Sequence, residues 1–241
     1  MVTLKMAIIF LMEQIRTPFS LIWTIMSPTV LFFFLHFNEI EFHYGDTAWL
    51  GKQISWFVGY ISFSVVLFNY CLYLVGRRES GFIATFVHNM DGRLLFIRSQ
   101  LIASLIMSIL YVFFFILVVL TGFQASPDYQ IVMIILKSIY INAFMMVSLT
   151  FMASFRVTYQ TASTIYSVLI TVCMVSGIVS LKYNEGIVYW INQVNPIAIY
   201  STILQSDQEL SLMTIFFYSI MLIISIISAL TFKTEPVWSS Q

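Results

Sequence analysis

Residues 99–122 read SQLIASLIMSILYVFFFILVVLTG and contain no charged side chain. In the hydrocarbon of a membrane every backbone donor and acceptor needs a partner within the protein, so an apolar run of about 20 residues is predicted to be a helix. The composition agrees, because 60% hydrophobic residues, 9% charged residues and a mean hydropathy of +0.92 do not suit a water-soluble core with a polar surface. The sequence therefore predicts an all-α membrane protein.

Six such runs are predicted to cross the membrane. They cover residues 18–37, 54–75, 99–122, 131–155, 157–181 and 210–232. The connections between them are short and have no linker-like composition, so we expect residues 1–241 to form a single membrane domain.

The basic residues predict the orientation, because lysines and arginines near span ends are retained on the cytoplasmic side. With the N-terminus inside, eight of the eleven are cytoplasmic. These are Lys5, Arg16, Arg77, Arg78, Arg93, Arg98, Arg156 and Lys233. Both termini are therefore predicted to lie in the cytoplasm of a cell, with the chain in its plasma membrane.

Residues 2–16 are predicted to form a helix that lies in the cytoplasmic interface. Lys5, Glu13 and Arg16 share one arc of this helix, while apolar residues such as Leu4 and Ile8 recur along another. The alternative is a helix that simply extends the first span.

Lys137 is the only formal charge predicted within a span, and no acidic residue lies deep in one. Ion-coupled carriers usually keep a carboxylate near the midplane, so its absence argues against that class. Lys137, Asn69 and Asn142 are candidates for a substrate path. Snorkelling towards the headgroups is the commoner explanation for Lys137, and interhelical hydrogen bonds explain the two asparagines at least as well.

The stretch Arg77-Arg78-Glu79-Ser80-Gly81 begins the loop between the second and third spans. Ser80 is a candidate N-cap, and the apolar residues after it recur at helical spacing. They are Phe82, Ile83, Phe86 and Val87. This predicts a short amphipathic helix over about 80–89 and a turn over 89–92. Such a helix either docks a partner or anchors the loop.

This loop, with the Asp91-Gly92-Arg93-Leu94 that follows it, resembles the first cytoplasmic loop of permease subunits of type-2 ABC exporters. The interfacial helix, the six spans and Asn195-Pro196 before the last span extend the resemblance over essentially the whole chain. The loop's usual Glu-Arg-Glu form is replaced here by Arg77-Arg78-Glu79. The alternative for Asn195-Pro196 is a helix stop in a loop.

The resemblance implies a coupling helix, opened by Glu79 and Gly81, that contacts an ATPase. The implied contact residues are Glu79, Ser80, Gly81, Phe82, Ile83, Phe86, Val87 and Asn89. It also implies short helices over residues 187–200 that dip back from the outer face, with Asn195 and Pro196 as an external gate. The implied partners are a second copy or a homologous permease and two ABC ATPase subunits that bind ATP and Mg.

The sequence offers no chemistry of its own. It has no Gly-x-x-x-x-Gly-Lys-Ser/Thr phosphate loop, so we expect a separate subunit to hydrolyse ATP. The three histidines and two cysteines are scattered without metal-ligand spacing. We therefore expect a transport subunit rather than an enzyme, with no cofactor bound directly and no nucleic acid as partner.

Taken together, these features predict the permease of an ATP-driven exporter that works by alternating access. An amphipathic peptide or a hydrophobic drug is the expected cargo, and the resemblance points to peptide exporters of the phenol-soluble modulin or lantibiotic-immunity type. The aromatic and methionine content is weak support, because surfaces that face lipid need the same residues. The rival hypothesis is an ATPase-independent carrier or channel.

Overall fold

The computed structural model describes residues 2–16, 18–83, 89–182, 185–205 and 212–232. These ranges are almost entirely helical and contain no β-strand, which confirms the all-α class. The helices are α1 (Val2–Ile15), α2 (Pro18–Leu35), α3 (Thr47–Ser64), a π-helical segment (Val65–Leu72), α4 (Tyr73–Glu79), α5 (Met90–Gly122), α6 (Tyr129–Ser154), α7 (Tyr159–Lys182), α8 (Gly186–Val194), α9 (Pro196–Gln205) and α10 (Leu212–Leu230), with a 3-10 turn at Phe37–Glu39.

Four of the described helical stretches are long and apolar enough to cross a membrane. They are Thr47–Glu79, Met90–Gly122, Tyr129–Ser154 and Tyr159–Ser180. α2 and α10 fall on the first and sixth predicted spans, but the apolar stretches described there, Thr24–Leu35 and Thr214–Leu230, are shorter. The helices therefore fit a membrane protein with at least four spans.

Side-chain caps decide where two of the long helices begin. The carboxylate of Asp46 accepts a hydrogen bond from the N–H of Trp49 at 3.0 Å, and the amide oxygen of Asn89 accepts one from the N–H of Gly92 at 2.8 Å. The bond from Trp49, followed by one from the His43 ring, holds the pKa of Asp46 below its ordinary value. The second and third predicted spans are consequently extended by several residues at their N-terminal ends.

The predicted turn over residues 89–92 is wrong, as is the extension of the coupling helix to Asn89. Asn89 is extended backbone at the start of α5, and Met90, Asp91 and Gly92 form the first turn of that helix. Polar residues with a turn-like composition therefore belong to a helix N-terminus, where Asn at the cap and Asp in the first turn are both favourable.

α1 packs against α5, with the ring of Phe10 5.5 Å from that of Phe96. Its buried residues Ala7, Phe10 and Gln14 recur at helical spacing. Leu4 and Ile8, from the apolar arc predicted by the sequence, are exposed. The predicted apolar arc of α1 therefore faces away from the protein. This arrangement leaves that arc available to lipid.

The two short helices α8 and α9 cover residues 187–200, where the sequence predicts short helices, and α9 continues to Gln205. α9 packs closely on α3, and Gly59 makes this approach possible. A Cβ atom on Gly59 would lie 2.8 Å from the carbonyl oxygen of Ile197 and 3.1 Å from the Cβ of Tyr200. Backbone oxygen cannot yield as a flexible side chain can, so glycine is required at this contact.

One end of the helix bundle carries most of the described arginines. α4 ends there beside the turn between α6 and α7, and Arg93 at the start of α5 donates a hydrogen bond to the carbonyl oxygen of Leu230 at the end of α10, at 3.1 Å. We refer to this end, marked by Arg77, Arg78, Arg93 and Arg156, as the basic end. It is the end that the sequence predicts to be cytoplasmic.

Replacing Gly59 by Ala tests the packing of α9 on α3. The new methyl group has to displace the backbone of Ile197, so we expect a loss of about 1–3 kcal/mol and a lower midpoint of thermal aggregation in detergent, measured by size-exclusion chromatography. Gly51→Ala on the same helix is the control, because its Cβ meets side-chain atoms of Gln130 and Ile134 only at 3.7 Å. Equal midpoints for the two variants would contradict the packing described here.

Candidate functional site

Arg78 is almost completely buried at the basic end, with 1% of its surface exposed. Its guanidinium donates hydrogen bonds to the carbonyl oxygens of Ala153, Phe155 and Val157, at 3.0, 2.8 and 3.1 Å. The last carbonyls of a helix have no partner within it, and a cation is favoured there by the helix dipole. Arg78 therefore serves as the cap of α6 and holds the turn that leads to α7.

Glu79, the next residue, acts on the other side of the same turn. Its carboxylate accepts a hydrogen bond from the backbone N–H of Tyr159, the first residue of α7. An anion at a helix N-terminus satisfies a free N–H and is favoured by the dipole. Arg78 thus binds the C-terminal end of α6, and Glu79 binds the N-terminal end of α7. Each charge is opposite in sign to the partial charge that the helix dipole places at that end.

Arg77 connects the same segment to α1. Its guanidinium forms an ion pair with Glu13 and donates a hydrogen bond to the hydroxyl of Tyr73 at 2.9 Å, and that hydroxyl in turn donates to Glu13 at 2.6 Å. The guanidinium also lies 4.8 Å from the centre of the Phe82 ring. The end of α4 is therefore attached to α1 on one side and to the turn between α6 and α7 on the other.

We refer to Glu13, Arg77, Arg78, Glu79 and Tyr159 together as the basic-end clasp. Four of these five residues are ionic, and they join three helices that are distant in sequence. Hydrogen bonds to charged groups contribute about 1.5–3 kcal/mol each. The start of the loop after α4 is therefore a rigid point of attachment rather than a free connection.

The predicted coupling residues fall into two groups, one at the end of α4 and one after it. Glu79 is the last residue of α4 rather than the opening of a new helix, and Gly81 has a φ of 74°, the left-handed conformation that ends helices. The hydroxyl of Ser80 donates to the carbonyl of Arg77 at 3.1 Å and accepts a weak bond from the N–H of Phe82 at 3.5 Å.

The remaining predicted coupling residues follow this break. Phe82 and Ile83 are helical, and Ile83 is buried. Phe86 and Val87 lie outside the described residues. Asn89 caps α5 and does not belong to a helix before it.

The π-helical segment (Val65–Leu72) lies within Thr47–Glu79, the first of the four long helical stretches. A π-helix shifts the backbone register, and here the carbonyl oxygen of Asn69 accepts hydrogen bonds from the side chains of Gln100 and Ser104, at 2.7 and 3.0 Å. Both donors come from α5. The irregular backbone is therefore satisfied by a neighbouring helix, as membrane-embedded backbone must be, and such segments are often found at functional sites.

Two cavities of about 410 and 490 Å³ adjoin beside this segment. They share Phe68, Asn69, Leu72 and Tyr159 as lining residues. The first cavity reaches the basic end at Arg77, and the second extends between α2, α3 and α7 as far as Thr171. We call the two together the polar cleft, because hydroxyl and amide groups line much of it.

The three predicted path residues are not brought together. Asn69 lines the polar cleft. Lys137 lies near the opposite end of the bundle, where it shares a cavity of about 360 Å³ with Lys52 and donates to the carbonyl oxygen of Leu204 at 3.5 Å. Asn142 is fully buried, and among the described residues its side-chain atoms have no hydrogen-bond partner.

Asn195 is a structural junction. Its side-chain amide donates to the carbonyl oxygen of Cys173 at 2.8 Å and to the hydroxyl of Ser176 at 3.1 Å, while its oxygen accepts from the N–H of Ile197 at 3.0 Å. Asn195 thus caps α9 and ties it to α7, and Pro196 is the first residue of α9, a position that favours proline.

The sequence alone did not indicate the contacts of three clasp residues, or the hydroxyl groups of α7 that line the polar cleft. Arg78 was predicted only as a cytoplasmic charge, Glu13 only as part of the polar arc of α1, and Tyr159 not at all. Ser163, Ser167 and Thr171 recur every four residues, a visible signal that they share one face of a helix. The pairing of Arg78 with carbonyls has no such signal, because backbone partners leave no mark in the sequence.

The fold and this site define a helical protein with membrane-spanning helices, whose basic end is held together by buried and half-buried charges. The chain is 99% identical over 241 residues to Protein McbE of Escherichia coli, and the match covers 100% of both chains. It therefore belongs to the McbE family. No protein-family model matches the chain, and no solved structure matches it.

Arg78→Ala tests the cap on α6. Loss of three charged hydrogen bonds removes the Arg78 donor from the carbonyls of Ala153 and Val157 and leaves the carbonyl of Phe155 with only the N–H of Val157. We therefore expect amide hydrogen exchange across residues 153–159 to be faster by about tenfold or more, measured by mass spectrometry in detergent. Arg77→Ala is the matched control, since Arg77 bonds to α1 and Tyr73 instead. An unchanged exchange rate in Arg78→Ala would show that Arg78 does not hold this turn.

Proposed function

We propose that this protein is the permease subunit of an ATP-driven exporter of the type-2 ABC class. The observation that carries the proposal is the basic-end clasp. A loop that receives force from an ATPase needs firm attachment to several helices, since force applied to a free loop is lost in its own movement. The clasp attaches the residues immediately before the coupling segment to α1, α6 and α7.

The proposed topology has six spans, with α2 and α10 as the first and the last. Both termini lie in the cytoplasm, so the basic end faces the cytoplasm in agreement with the charge bias. Phe82 then begins the segment that contacts the ATPase, and Phe86 and Val87 are its proposed apolar contacts, whereas Ile83 is buried in the core of this chain. α8 and α9 lie at the outer side, where Asn195 and Pro196 shape the exit.

The proposed assembly contains two permeases and two ABC ATPase subunits. The ATPases bind ATP and Mg, and this chain supplies no nucleotide site of its own. The second permease is another copy or a homologue, and it closes the open side of the polar cleft beside α7, the least buried of the four long helices. Closure of the ATPases moves the clasp and alternately exposes the cleft to each side.

An ion-coupled carrier is the rival hypothesis. Among the described residues no aspartate or glutamate is buried, whereas carriers of that class use a buried carboxylate to bind the coupling ion. This observation favours ATP as the source of energy. We infer that cargo leaves the cell through the cleft and that the protein is a transport subunit rather than an enzyme.

Purification of the tagged chain from its native membranes in a mild detergent tests the assembly. We expect an ABC ATPase to co-elute and the preparation to hydrolyse ATP in a vanadate-sensitive manner. Phe86→Asp should abolish co-elution because it places a charge on the predicted apolar docking face. Phe37→Asp, on an exposed turn at the opposite end, is the control. A chain that elutes intact and alone would reject the proposal.

Glu79→Ala tests the transmission of force. The variant removes the bond to the N–H of Tyr159 while leaving the segment after Gly81 unchanged, so we expect ATPase binding to persist and export per ATP hydrolysed to fall at least about fivefold, the effect of roughly 1 kcal/mol. Export from vesicles and phosphate release are measured on the same preparation. A wild-type ratio of export to hydrolysis would exclude Glu79 from the transmission.

A further inference from the structure

The cavity of about 360 Å³ that holds Lys52 and Lys137 lies at the end of the bundle opposite the basic end. α3 supplies Lys52, α6 supplies Lys137, and the last residue of α9, Gln205, closes the cavity. The hydroxyl of Thr47 donates to the carboxylate of Asp128 at 3.2 Å, so α3 and α6 begin side by side at this end. We refer to this space as the lysine cavity.

Two ammonium groups share the lysine cavity, and the described residues that line it include no aspartate or glutamate. At a rise of about 1.5 Å per residue, Lys52 lies about 8 Å from the start of α3 and Lys137 about 12 Å from the start of α6. The repulsion between like charges grows as water is excluded. An anion held between the two lysines would therefore be favourable.

The groups around the cavity are those that bind phosphate oxygens. An ammonium carries three N–H donors, and that of Lys137 makes a long bond of 3.5 Å to a neutral acceptor, the carbonyl oxygen of Leu204. The side-chain amide of Gln205 donates to the carbonyl oxygen of Lys52 at 3.4 Å, which attaches the end of α9 to α3. The phenol of Tyr129 also lines the cavity. Lysine is a common ligand of phosphate in proteins.

An apolar, exposed strip on α6 runs beside the lysine cavity. Val132, Leu136 and Tyr140 recur every four residues and are 46, 48 and 77% exposed. Leu136 directly precedes Lys137, so the strip lies about 100° around the helix from this lysine. A ligand with a phosphate in the cavity can lay an apolar part along the strip. A phospholipid has both parts, whereas a soluble phosphate has only the first.

We propose that the lysine cavity binds the phosphate of an anionic phospholipid, whose acyl chains lie along the strip of Val132, Leu136 and Tyr140. A zwitterionic headgroup would bring a further ammonium, for which the described lining residues offer no carboxylate. In the proposed topology the cavity serves the outer leaflet. The inference does not depend on the source of energy for transport, so its failure and that of the exporter proposal are independent.

Native mass spectrometry of the chain, purified in a mild detergent with whatever subunits accompany it, tests this inference. The probes are dioleoyl phosphatidylglycerol and dioleoyl phosphatidylcholine, which have the same chains and differ in headgroup charge. We expect the phosphatidylglycerol to bind at least about tenfold more tightly, the effect of one hydrogen bond to a charged group. Glycerol 3-phosphate carries the phosphate without the chains, and we expect it not to displace the lipid at an equal concentration.

Variants of the two lysines locate the bound lipid. Lys52→Gln and Lys137→Gln each remove one charge and keep a polar side chain, so we expect each to weaken phosphatidylglycerol binding about tenfold and to leave phosphatidylcholine unaffected. Lys137→Arg keeps the charge and should retain binding. Lys5→Gln is the matched control, because Lys5 is an exposed lysine of α1 outside the cavity. A phosphatidylglycerol with a photoreactive headgroup should cross-link within residues 48–55 or 129–137.

Four outcomes would overturn the inference. Equal affinity for the two lipids, or wild-type affinity in both glutamine variants, would show that the lysines do not select an anionic headgroup. Displacement by glycerol 3-phosphate would assign the cavity to a soluble phosphate. Asp207 and Glu209 follow α9 in the sequence and lie outside the described residues. If phosphatidylglycerol binds only after Asp207→Asn and Glu209→Gln are combined, the lysines serve these carboxylates instead of a lipid.

Discussion

A backbone carbonyl that has no helical partner must receive a hydrogen bond from elsewhere, and this constraint is most severe where water is excluded. Among the described residues, side chains from neighbouring helices meet this need at several places, two of which lie beside the proposed site. Gln100 and Ser104 bind the carbonyl of Asn69 beside the π-helical segment, and Arg78 binds three carbonyls in the turn after α6. Irregular backbone is stable at these two places because side chains of neighbouring helices supply the hydrogen-bond donors that its carbonyls need.

These two places are also those that the proposed function requires. The irregular segment shapes the wall of the polar cleft opposite α7, and the turn held by Arg78 is the point at which α7 begins. Under the proposed function, force applied to the loop after α4 would reach α7 through Arg78 and Glu79, and Ser163, Ser167 and Thr171 of α7 line the cleft. The same contacts that satisfy the backbone thus link the proposed ATPase contact to the proposed cargo site.

The sequence was sufficient to predict the helical class and the existence of the long apolar helices, because hydrocarbon permits few alternatives. The sequence predicted the ends of the helices less reliably than their existence. The start of α5 was predicted as a turn, since Asn89 and Gly92 suit turns and helix N-termini alike, and only the cap distinguishes them. Of the two asparagines predicted for a substrate path, Asn69 lines a cavity and Asn142 lies in the buried core.

The contacts of the clasp could not be predicted from the sequence, for a different reason. The charges of Arg78 and Glu79 are visible in the sequence, but their partners are backbone atoms more than 70 residues away. Periodicity places residues on one face of one helix and carries no information about which turn lies opposite. The hydroxyl row on α7 needed only that periodicity, and it was overlooked because serine and threonine in a span are ordinarily assigned to helix packing.

Electron cryomicroscopy of the assembly purified from native membranes tests the central claim most directly. We predict an ABC ATPase seated on the basic end, in contact with the residues between Gly81 and Asn89, and the bond between Glu79 and the N–H of Tyr159 preserved at that contact. A particle without an ATPase, or one in which the ATPase lies on another surface and the clasp is open, would contradict the account.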